Sequence, residues 1–392
     1  MWPLFVMMLW VLGAQAAPPP CDLERDEPGV YVLTIDPDDK LNKLFGHTGL
    51  LLWHPQFGER APVYDYGRFA PAPLPELAYK ALTQTLRFKQ FKDSLGTVLW
   101  RYNETNRTVI AQRLALTHEE GSALEQALRD DLVDPEFDYH FIENNCTTKV
   151  RDALDATLGG HLRAQLAGPA NTTVRAESLR HTAPSLPVWL GVYWGTTQAG
   201  SEPISEWEAA YIPVNLMAGV AGASRPGGKP LVAHTCTLVD STRPRVLEAP
   251  PSRDAWLWLA GLTVAALVTL LAWASRTAGV WGVAIVGLVG GLFGSAMYLL
   301  TDLGTFNPAW NGYNLWFVSP AWLLLPLAAR WRAQSATTPL PLVVVGLLGA
   351  MAVYGLVLGL QDGLVTENLG LLGLVVPSLV VAGWVLRPRP AA

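Results

Sequence analysis

Apolar and polar positions divide the chain into two unequal parts. Before residue 254 the apolar runs are short and separated by charged residues, whereas long and nearly uncharged runs follow it. A helix needs about 20 apolar residues to cross a hydrocarbon core of about 30 Å. We therefore predict about five transmembrane helices, at Ala255–Ala274, Val280–Leu300, Asn314–Ala329, Leu340–Leu360 and Leu369–Leu386.

The third of these runs differs from the others. It is short, and Pro320 and Pro326 interrupt it. Because proline removes a backbone donor and the bilayer offers no replacement, we expect neighbouring helices to cover this segment.

The part before residue 254 has the pattern of a mixed α+β domain. Short runs rich in β-branched and aromatic residues predict strands. The predicted strands are Val30–Ile35, Gly46–Trp53 and Pro62–Tyr66, and we interpret Thr97–Tyr102 and Thr108–Leu116 as a hairpin.

Two helix starts are marked by capping residues. Thr117 is followed three residues later by Glu120, which is typical of a capping box. Asn145 is a good N-cap for a second helix, which we expect to end at Gly159-Gly160. The apolar face of this second helix is predicted from a four-residue spacing of Val150, Leu154 and Leu158.

The N-terminus and the loop charges predict location. Residues 1–16 are apolar and end in Ala14-Gln15-Ala16, so we expect a signal peptide, with an uncleaved anchor as the alternative. Residues 17–252 would then form an extracytoplasmic domain and residues 253–392 a polytopic membrane domain. Basic residues fall in alternate loops, so the positive-inside rule predicts a multi-pass membrane protein with an extracytoplasmic N-terminal domain and a cytoplasmic C-terminus. In a cell with two membranes this is an inner-membrane protein with a periplasmic domain. The basic residues are Arg276, Arg330, Arg332, Arg387 and Arg389.

The amino-acid composition and the absence of certain motifs limit the classes of partner and cofactor that we expect. Half of the 392 residues are hydrophobic, 16% are charged and the net charge is −5. No basic patch points to nucleic acid, and the long apolar runs indicate the lipid bilayer as a partner. The sequence contains neither HExxH nor CxxC and no glycine-rich phosphate loop, and we predict no metal or cofactor.

The three cysteines suggest two different uses. Cys21 and Cys236 bracket the predicted outer domain, and we expect them to form a disulfide. Cys146 remains unpaired and directly follows the N-cap Asn145. Backbone N–H groups at a helix start favour a thiolate and can stabilise an oxyanion. A buried cysteine that merely packs the helix start is the structural alternative.

A thiol nucleophile needs a base. His47, flanked by glycines at the start of a predicted strand, is the candidate, although a lone histidine is more often structural. The other histidines before the membrane part have no such flanks and are interpreted as surface or loop residues. Asp65 or Tyr66 on the next strand could orient the imidazole, and strand alternation allows only one of them to share its face.

In these motifs the chain resembles the Lnb family of lipoprotein intramolecular transacylases. The first block is Leu44–Thr48, the second is Tyr64–Gly67 and the third is Glu143–Asp152. Later blocks include Arg175, Arg180-His181, Glu206–Glu208, Ile212-Pro213 and a polar membrane loop from Thr301 to Trp316. The order of Phe-Gly-His before Asn-Cys-Thr carries most of the resemblance, whereas Asn171–Glu208 departs from the family in spacing and composition.

The resemblance implies a papain-like thiol fold in permuted, NlpC-like order, with Cys146 and His47 as the catalytic pair. Family members move an acyl chain within a diacylglyceryl-cysteine lipoprotein, so the resemblance implies membrane lipids or lipoproteins as partners. Roles in holding the oxyanion or the substrate then fall to Asn144, Asn145 and Thr147. In the membrane loop a substrate-binding role falls to Asp302, Asn311 and Asn314, with a purely structural loop as the alternative.

Three functions remain open at this point. The first is a membrane-embedded acyltransferase that works through a Cys146 thioester. The second is a thiol hydrolase of the cell envelope, such as an amidase or peptidase. The third is a scaffold that keeps the fold without the reaction.

Overall fold

The structure is a computed structural model. It describes residues 18–388, except 74, 75, 77, 78, 81, 82, 84, 197–199, 245, 303–311 and 362–368, and it leaves out the side chains of 42, 300–302, 312 and 313. The predicted signal peptide, residues 1–16, lies outside the described residues.

The described part before residue 254 contains nine strands and eight helices. The strands are β1 Gly29–Ile35, β2 His47–Trp53, β3 Pro62–Arg68, β4 Arg87–Ser94, β5 Val109–Leu114, β6 Glu136–Asp138, β7 Pro169–Thr173, β8 Pro203–Ser205 and β9 Val232–Val239. The helices are α1 Leu95–Glu104, α2 His118–Asp131, α3 Cys146–Thr157, α4 His161–Gln165, α5 Val174–Thr182, α6 Leu186–Gly195, α7 Glu206–Ala209 and α8 Pro213–Gly222.

Seven strands form one antiparallel sheet in the order β6-β4-β3-β2-β1-β5-β9, and β7 pairs with β8 separately. The three predicted strands in β1, β2 and β3 are confirmed, with boundaries within two residues of those expected. The sheet places β2 and β3 side by side, with Gly49 opposite Asp65.

Each face of this sheet is covered by helices. On one face Leu33 and Ile35 pack with Val98 and Tyr102 of α1. On the other face Val32 and Leu50 pack with α2, α3 and α8, which contribute Leu124, Val150 and Leu216 among others. This two-sided burial explains why β1 is apolar almost throughout instead of alternating.

The hairpin predicted from Thr97–Tyr102 is wrong, because this segment belongs to α1. Ser94 caps the helix by accepting a hydrogen bond from the Thr97 amide. Leu95, Val98 and Tyr102 then fall on one buried face at helical spacing. The β-branched and aromatic residues that suggested a strand are here spaced for a helix that packs on the sheet.

Both predicted helix starts are confirmed. Thr117 and Glu120 form a reciprocal capping box at α2. Asn145 caps α3, whose inner face buries Val150 and Leu154 completely. The chain leaves α3 through Gly159 and Gly160, which both have positive φ values that glycine adopts without a steric penalty.

The C-terminal part is a helical bundle. Its helices are α9 Asp254–Ala274, α10 Arg276–Asp302, α11 Leu324–Gln334, α12 Leu340–Gln361 and α13 Leu369–Leu386. Within the described residues, α9, α10, α12 and α13 are long and apolar enough to cross a membrane, so the prediction of about five such helices is corrected to four.

The third predicted span is broken. It consists of two 3-10 turns, Gly312–Trp316 and Pro320–Leu323, followed by α11. Pro320 starts the second turn, and Pro326 lies in the first turn of α11, where a missing N–H is tolerated. The two prolines therefore occupy positions that restart a helix, so a single uninterrupted span does not form.

Glycines of α10 accommodate the broken segment. A Cβ added to Gly294 would lie 2.5 Å from the carbonyl carbon of Ser319, and one added to Gly291 would lie 2.6 Å from the Leu323 side chain. Glycine thus lets the backbone of α10 approach the broken segment closely, as small residues do at membrane helix contacts. The expectation that neighbouring helices cover this segment is confirmed.

The α6 helix joins the two parts of the chain. Trp189, Tyr193 and Trp194 of α6 are buried in the same apolar cluster as Leu257 of α9 and Leu371 of α13. The Tyr193 hydroxyl donates a 2.6 Å hydrogen bond to Asp254, and the Gly370 amide donates to the same carboxylate at 3.1 Å. The starts of α9 and α13 therefore meet at the first domain.

The opposite end of the bundle is held by arginines. Arg276 donates to the carbonyl of Arg387, and Arg332 donates to the carbonyl of Leu386 at 2.8 Å. Three of the basic segments named above therefore meet at the end of the bundle away from the first domain.

Candidate active site

The free cysteine of the described residues, Cys146, begins α3. The His47 imidazole and the Thr48 backbone amide lie close enough to its thiol for both to lower the pKa of the thiol. The Thr147 hydroxyl lies 3.8 Å from the sulfur and 3.4 Å from the Thr48 hydroxyl. The start of α3 and the start of β2 thus meet at the thiol.

Gly46 sets the direction in which the chain enters β2. Its φ of +85° is one that residues with a side chain rarely adopt. A Cβ at this position would also lie 2.6 Å from the Ile35 carbonyl oxygen of β1. Glycine before His47 therefore permits the close approach of backbone that brings the imidazole to the cysteine.

Asp65 is the carboxylate that meets His47. Its Oδ1 lies 3.6 Å from His47 Nε2, and both side chains are largely buried, at 7% and 16% exposed. Gly49 lies opposite Asp65, so residues 47 and 65 are on the same face of the sheet. Asp65 is held in turn by the Gly67 amide at 3.1 Å and by Arg68 at 3.6 Å.

The local charges stabilise a thiolate and an imidazolium. Burial raises the pKa of the Cys146 thiol, but the charge of His47 and hydrogen bonds from His47, Thr147 and Thr48 outweigh burial, and the pKa is lowered. Burial by itself lowers the pKa of His47, yet Tyr102, Cys146 and Asp65 together raise it well above its ordinary value. The pair is therefore poised to carry opposite charges.

The pKa of Asp65 is also set by burial on one side and by its neighbours on the other. Burial raises the pKa of Asp65, but the hydrogen bond and charge of His47, with smaller effects of Arg68 and the Gly67 amide, bring it below its ordinary value. Asp65 is therefore ionised where it contacts the imidazole.

Tyr66, the alternative partner of His47, lies on the other face of the sheet. Its hydroxyl donates a 2.7 Å hydrogen bond to Asp131 and accepts one from Gln90. As expected from strand alternation, only one of the two residues shares a face with His47: Asp65 contacts it, whereas Tyr66 contacts Asp131.

The start of α3 offers fewer free amides than we expected. Asn145 Oδ1 accepts from the amides of Thr147 at 2.8 Å and Thr148 at 3.0 Å, so neither is available to an oxyanion. Asn145 Nδ2 donates to the carbonyls of Phe141 and Tyr211. Asn145 therefore caps the helix and occupies two of the amides that could otherwise face an oxyanion.

One amide of this helix start remains available. Within the part of the chain that the structure describes, the backbone N–H of Cys146 has no hydrogen-bond acceptor. Asn144, the other amide side chain considered, donates through Nδ2 to the Asp138 carbonyl at 2.7 Å and so braces the loop before Cys146.

His181 is buried, contrary to the expectation of a surface histidine. Its ring stacks on Phe45 at 5.4 Å, and its Nδ1 lies 2.9 Å from the Glu177 carbonyl, to which it donates. Burial, followed by the charge of Arg180, lowers the pKa of His181 to about 4, so the ring is neutral at neutral pH. The stacking supports the segment that carries Gly46 and His47.

The residues predicted in the membrane loop are not brought to the thiol by any described contact. Asn314 is buried and donates a 2.6 Å hydrogen bond to the Trp194 carbonyl, so it links the broken segment to α6. Asp302 is the last residue of α10, and its side chain is not described. Asn311 lies outside the described residues.

Cys21 and Cys236 are joined by a disulfide, which ties the segment before β1 to the edge strand β9. The edge strand and the chain that leads to α9 are therefore covalently connected to the beginning of the domain. No described contact joins this disulfide to Cys146.

Gly67 belongs to the motif Tyr64–Gly67, and no role was predicted for it from the sequence. A Cβ added to Gly67 would fall 3.1 Å from both ring nitrogens of His47 and closer still to Cε1. Glycine in a strand interior often marks a close approach, and that signal was available in Tyr64–Gly67.

Comparison with known proteins follows the same division of the chain. The family model described as "Lnb N-terminal periplasmic domain" matches residues 25–178, a range that includes His47, Asp65 and Cys146. Searches of curated proteins and of solved structures found no match. With its apolar helices, the chain is a membrane protein with a periplasmic N-terminal domain. Residues 25–178 therefore match the Lnb family's N-terminal periplasmic domain, and this match supports membership of the Lnb family.

Proposed function

We propose that the chain is a membrane-embedded cysteine acyltransferase that acts on acyl esters of lipids or lipoproteins. The observation that carries the proposal is the contact series Cys146–His47–Asp65 at the start of α3, in which His47 lowers the pKa of the thiol and lies 3.6 Å from the carboxylate. Family membership supports an envelope function, and the permuted order, with histidine before cysteine, is consistent with a papain-like thiol domain.

In the first step the Cys146 thiolate attacks an ester carbonyl carbon. The new C–S bond forms while the carbonyl π pair moves to oxygen. Collapse of this intermediate breaks the ester C–O bond, and the His47 imidazolium gives its proton to the departing alkoxide. The products are a Cys146 thioester, an alcohol and a neutral His47.

In the second step an amine attacks the thioester. His47 accepts a proton from the amine nitrogen, the C–S bond breaks, and the thiolate returns beside the imidazolium. Asp65 remains ionised throughout and keeps the imidazole oriented, as the carboxylate of a catalytic triad does. The net result is transfer of an acyl group from oxygen to nitrogen.

The oxyanion of each intermediate needs a donor near the sulfur. The Cys146 amide is suited to this role because it lies at the N-terminus of α3 and has no acceptor among the described residues. Asn145 contributes indirectly, since its cap fixes the conformation in which that amide is presented.

The position of the site relative to the bundle favours a lipid substrate. Helix α5 places His181 against Phe45, next to the catalytic segment, and places Leu179 in the apolar cluster shared with the bundle. The short helix α5 therefore contacts both the segment that carries His47 and the membrane bundle. The basic residues at the far end of the bundle support a cytoplasmic C-terminus, which leaves Cys146 on the periplasmic side.

Acyl transfer can be tested on lipoproteins. Cells that produce the wild-type chain, Cys146→Ala, His47→Ala or no chain are compared by mass spectrometry of lipoprotein N-termini. We expect N-terminal acylation only with the wild-type chain, with all variants present at equal abundance. Unchanged acylation in all four strains contradicts the proposal.

The same experiment distinguishes the alternatives. A thiol hydrolase requires Cys146 and His47 but releases free fatty acid or cleaved peptide, because water resolves the acyl-enzyme. A scaffold supports its envelope phenotype equally well with alanine at either position. Labelling of purified protein by a thiol-directed acyl probe at Cys146 argues against the scaffold.

A further inference from the structure

A line of alternating charges continues beyond the Cys146–His47–Asp65 series. The two oxygens of Asp65 face different partners. Oδ1 lies 3.6 Å from His47 Nε2 and accepts from the Gly67 amide at 3.1 Å, whereas Oδ2 lies 3.6 Å from Nη2 of Arg68. The carboxylate that meets the imidazole is therefore held at its other oxygen by a cation.

An irregularity in β3 brings Arg68 to this carboxylate. Side chains alternate along a regular strand, so residues three positions apart point to opposite faces of the sheet. Asp65 lies opposite Phe91 of β4. Three residues later Arg68 lies opposite Lys89, which is only two residues from Phe91. The extra residue makes a β-bulge, a feature that re-aims side chains and is frequent next to active sites. It places Arg68 on the face of the sheet that carries Asp65.

Asp93, near the end of β4, anchors the guanidinium of Arg68. The Arg68 nitrogen that faces Asp65 also donates a 3.0 Å hydrogen bond to Asp93 Oδ2. Arg101 of α1 donates to the same oxygen. Burial raises the pKa of Asp93, but hydrogen bonds from Arg101 and Arg68 outweigh burial and lower it. Asp93 is therefore an ionised and largely buried counter-ion that Arg101 keeps in place.

Phe91 restricts the Arg68 side chain from a third direction. The guanidinium carbon lies 4.0 Å from the centroid of the Phe91 ring, which is a cation–π contact. Arg68 is 35% exposed, and these contacts hold it against the sheet when it could otherwise extend into solvent. Within the described part of the chain Arg68 makes no hydrogen bond or ion pair with Cys146 or His47, so it reaches the proposed base through Asp65.

We propose that Arg68 is a positioning residue, which fixes the Asp65 carboxylate with Oδ1 toward His47. Asp93 and Arg101 serve the same end, since they hold Arg68. A carboxylate held at one oxygen alone can turn about its last bond, so the second contact keeps the imidazole facing a fixed charge. The inference rests on the proposed function, because it assigns supporting residues to the proposed active site.

The test is the titration of His47, measured by NMR of the full chain in detergent micelles with labelled histidine. His47 faces Tyr102, Cys146 and Asp65, so Cys146→Ala is present throughout to remove the coupled thiol. The His47 resonance is the one that disappears when His47→Ala is added. The series compares Arg68→Gln, Arg68→Lys, Asp93→Asn and Arg68→Gln combined with Asp93→Asn.

We expect His47 to titrate at lower pH in Arg68→Gln than in the parent chain, because a carboxylate that is free to turn stabilises the imidazolium less. Loss of a nearby positive charge by itself predicts the reverse, so the direction of the shift separates positioning from a simple charge effect. Arg68→Lys should restore the parent titration, since a single nitrogen faces both carboxylates and an ammonium can take its place.

Asp93→Asn should shift the titration in the same direction as Arg68→Gln. The combined variant should shift it no further than Arg68→Gln does, because Asp93 acts through Arg68. Arg225→Gln is the matched control, because it breaks a partly buried 2.7 Å ion pair with Glu120 that no described contact joins to His47. It should leave the titration in place.

Three outcomes overturn the inference. One is a His47 titration at the same or higher pH in Arg68→Gln, another is an additive effect of the two substitutions, and the third is an equal shift in Arg225→Gln. With Cys146 present, Arg68→Gln should also lower acyl transfer about tenfold, as expected when an outer residue that orients a catalytic group is removed. The titration involves no acyl substrate, so a wild-type chain without acyl transfer contradicts the proposed function, whereas an unshifted His47 contradicts this inference alone.

Discussion

The imidazole of His47 lies against the backbone of Gly67, in the space that a side chain at position 67 would occupy. A Cβ on Gly67 would be 3.1 Å from Nδ1 and from Nε2. Gly67 also donates its amide to Asp65, the carboxylate that His47 contacts. One glycine therefore makes room for the proposed base and helps to hold the group that orients it.

Gly67→Ala should disable the site while the domain still folds. The added methyl displaces the imidazole, so acyl transfer should fall at least about 10²-fold, as expected when a catalytic group is misplaced by about 1 Å. Lipoprotein acylation and thermal unfolding measure the two effects. Gly121→Ala, which adds a methyl in open space, should leave activity unchanged, and a Gly67→Ala enzyme of normal activity contradicts this reading.

The reactivity of Cys146 should depend on His47 in a pH-dependent way. The pKa of the thiol is lowered by His47, so the wild-type thiolate persists as pH falls below the ordinary cysteine value of about 8.5 and is lost only at the lowered pKa. Removing the imidazolium leaves burial, which raises the pKa, opposed by the smaller effects of Thr147 and Thr48.

Iodoacetamide alkylation measured across pH tests this dependence. We expect the inflection for Cys146 to move to higher pH in His47→Ala than in the wild-type chain. Identical inflections in both proteins rule out the proposed ion pair.

Asp65→Asn and Tyr66→Phe form a matched pair on adjacent residues. Loss of the Asp65 charge should lower the pKa of His47, move the alkaline limb of the pH–rate profile to lower pH, and reduce the rate on the order of 10²- to 10⁴-fold. Tyr66→Phe removes a hydrogen bond to Asp131 on the opposite face, so it should cost about 1 kcal/mol of stability and leave the profile in place. The reverse pattern makes Tyr66 the orienting group.

Asn145→Ala should affect stability and chemistry together. The cap of α3 is lost, which costs about 1–2 kcal/mol, and the carbonyls of Phe141 and Tyr211 lose their donor. Thr117→Ala removes the comparable cap of α2 and is the control. Denaturant unfolding should show a loss in both variants, whereas Cys146 alkylation should slow only in Asn145→Ala.

Local signals in the sequence predict much of this site. The start of α3 follows from Asn145 and from the spacing of Val150 and Leu154, and the glycines beside His47 mark the entry to β2. These features are determined by residues close together in the sequence, so they can be predicted without knowledge of the fold.

Features determined by distant contacts could not be predicted in this way. The burial of His181 depends on stacking with Phe45, more than a hundred positions earlier in the chain. Helix α6 is apolar all round because it packs into the bundle, and its sequence alone gives no amphipathic face to recognise. Thr97–Tyr102 has strand-like residues, yet packing of Val98 and Tyr102 on the sheet makes it a helix.

The bond between Tyr193 and Asp254, with Gly370 on the same carboxylate, anchors the periplasmic domain to the first turns of two membrane helices. The Cys146 sulfur therefore belongs to a domain that is fixed to the bundle at the starts of α9 and α13. For the acyl transfer that we propose, a substrate must bring its carbonyl to the level of this sulfur while its chains stay in the membrane. Depth in the bilayer would then be a criterion of selection alongside shape and charge.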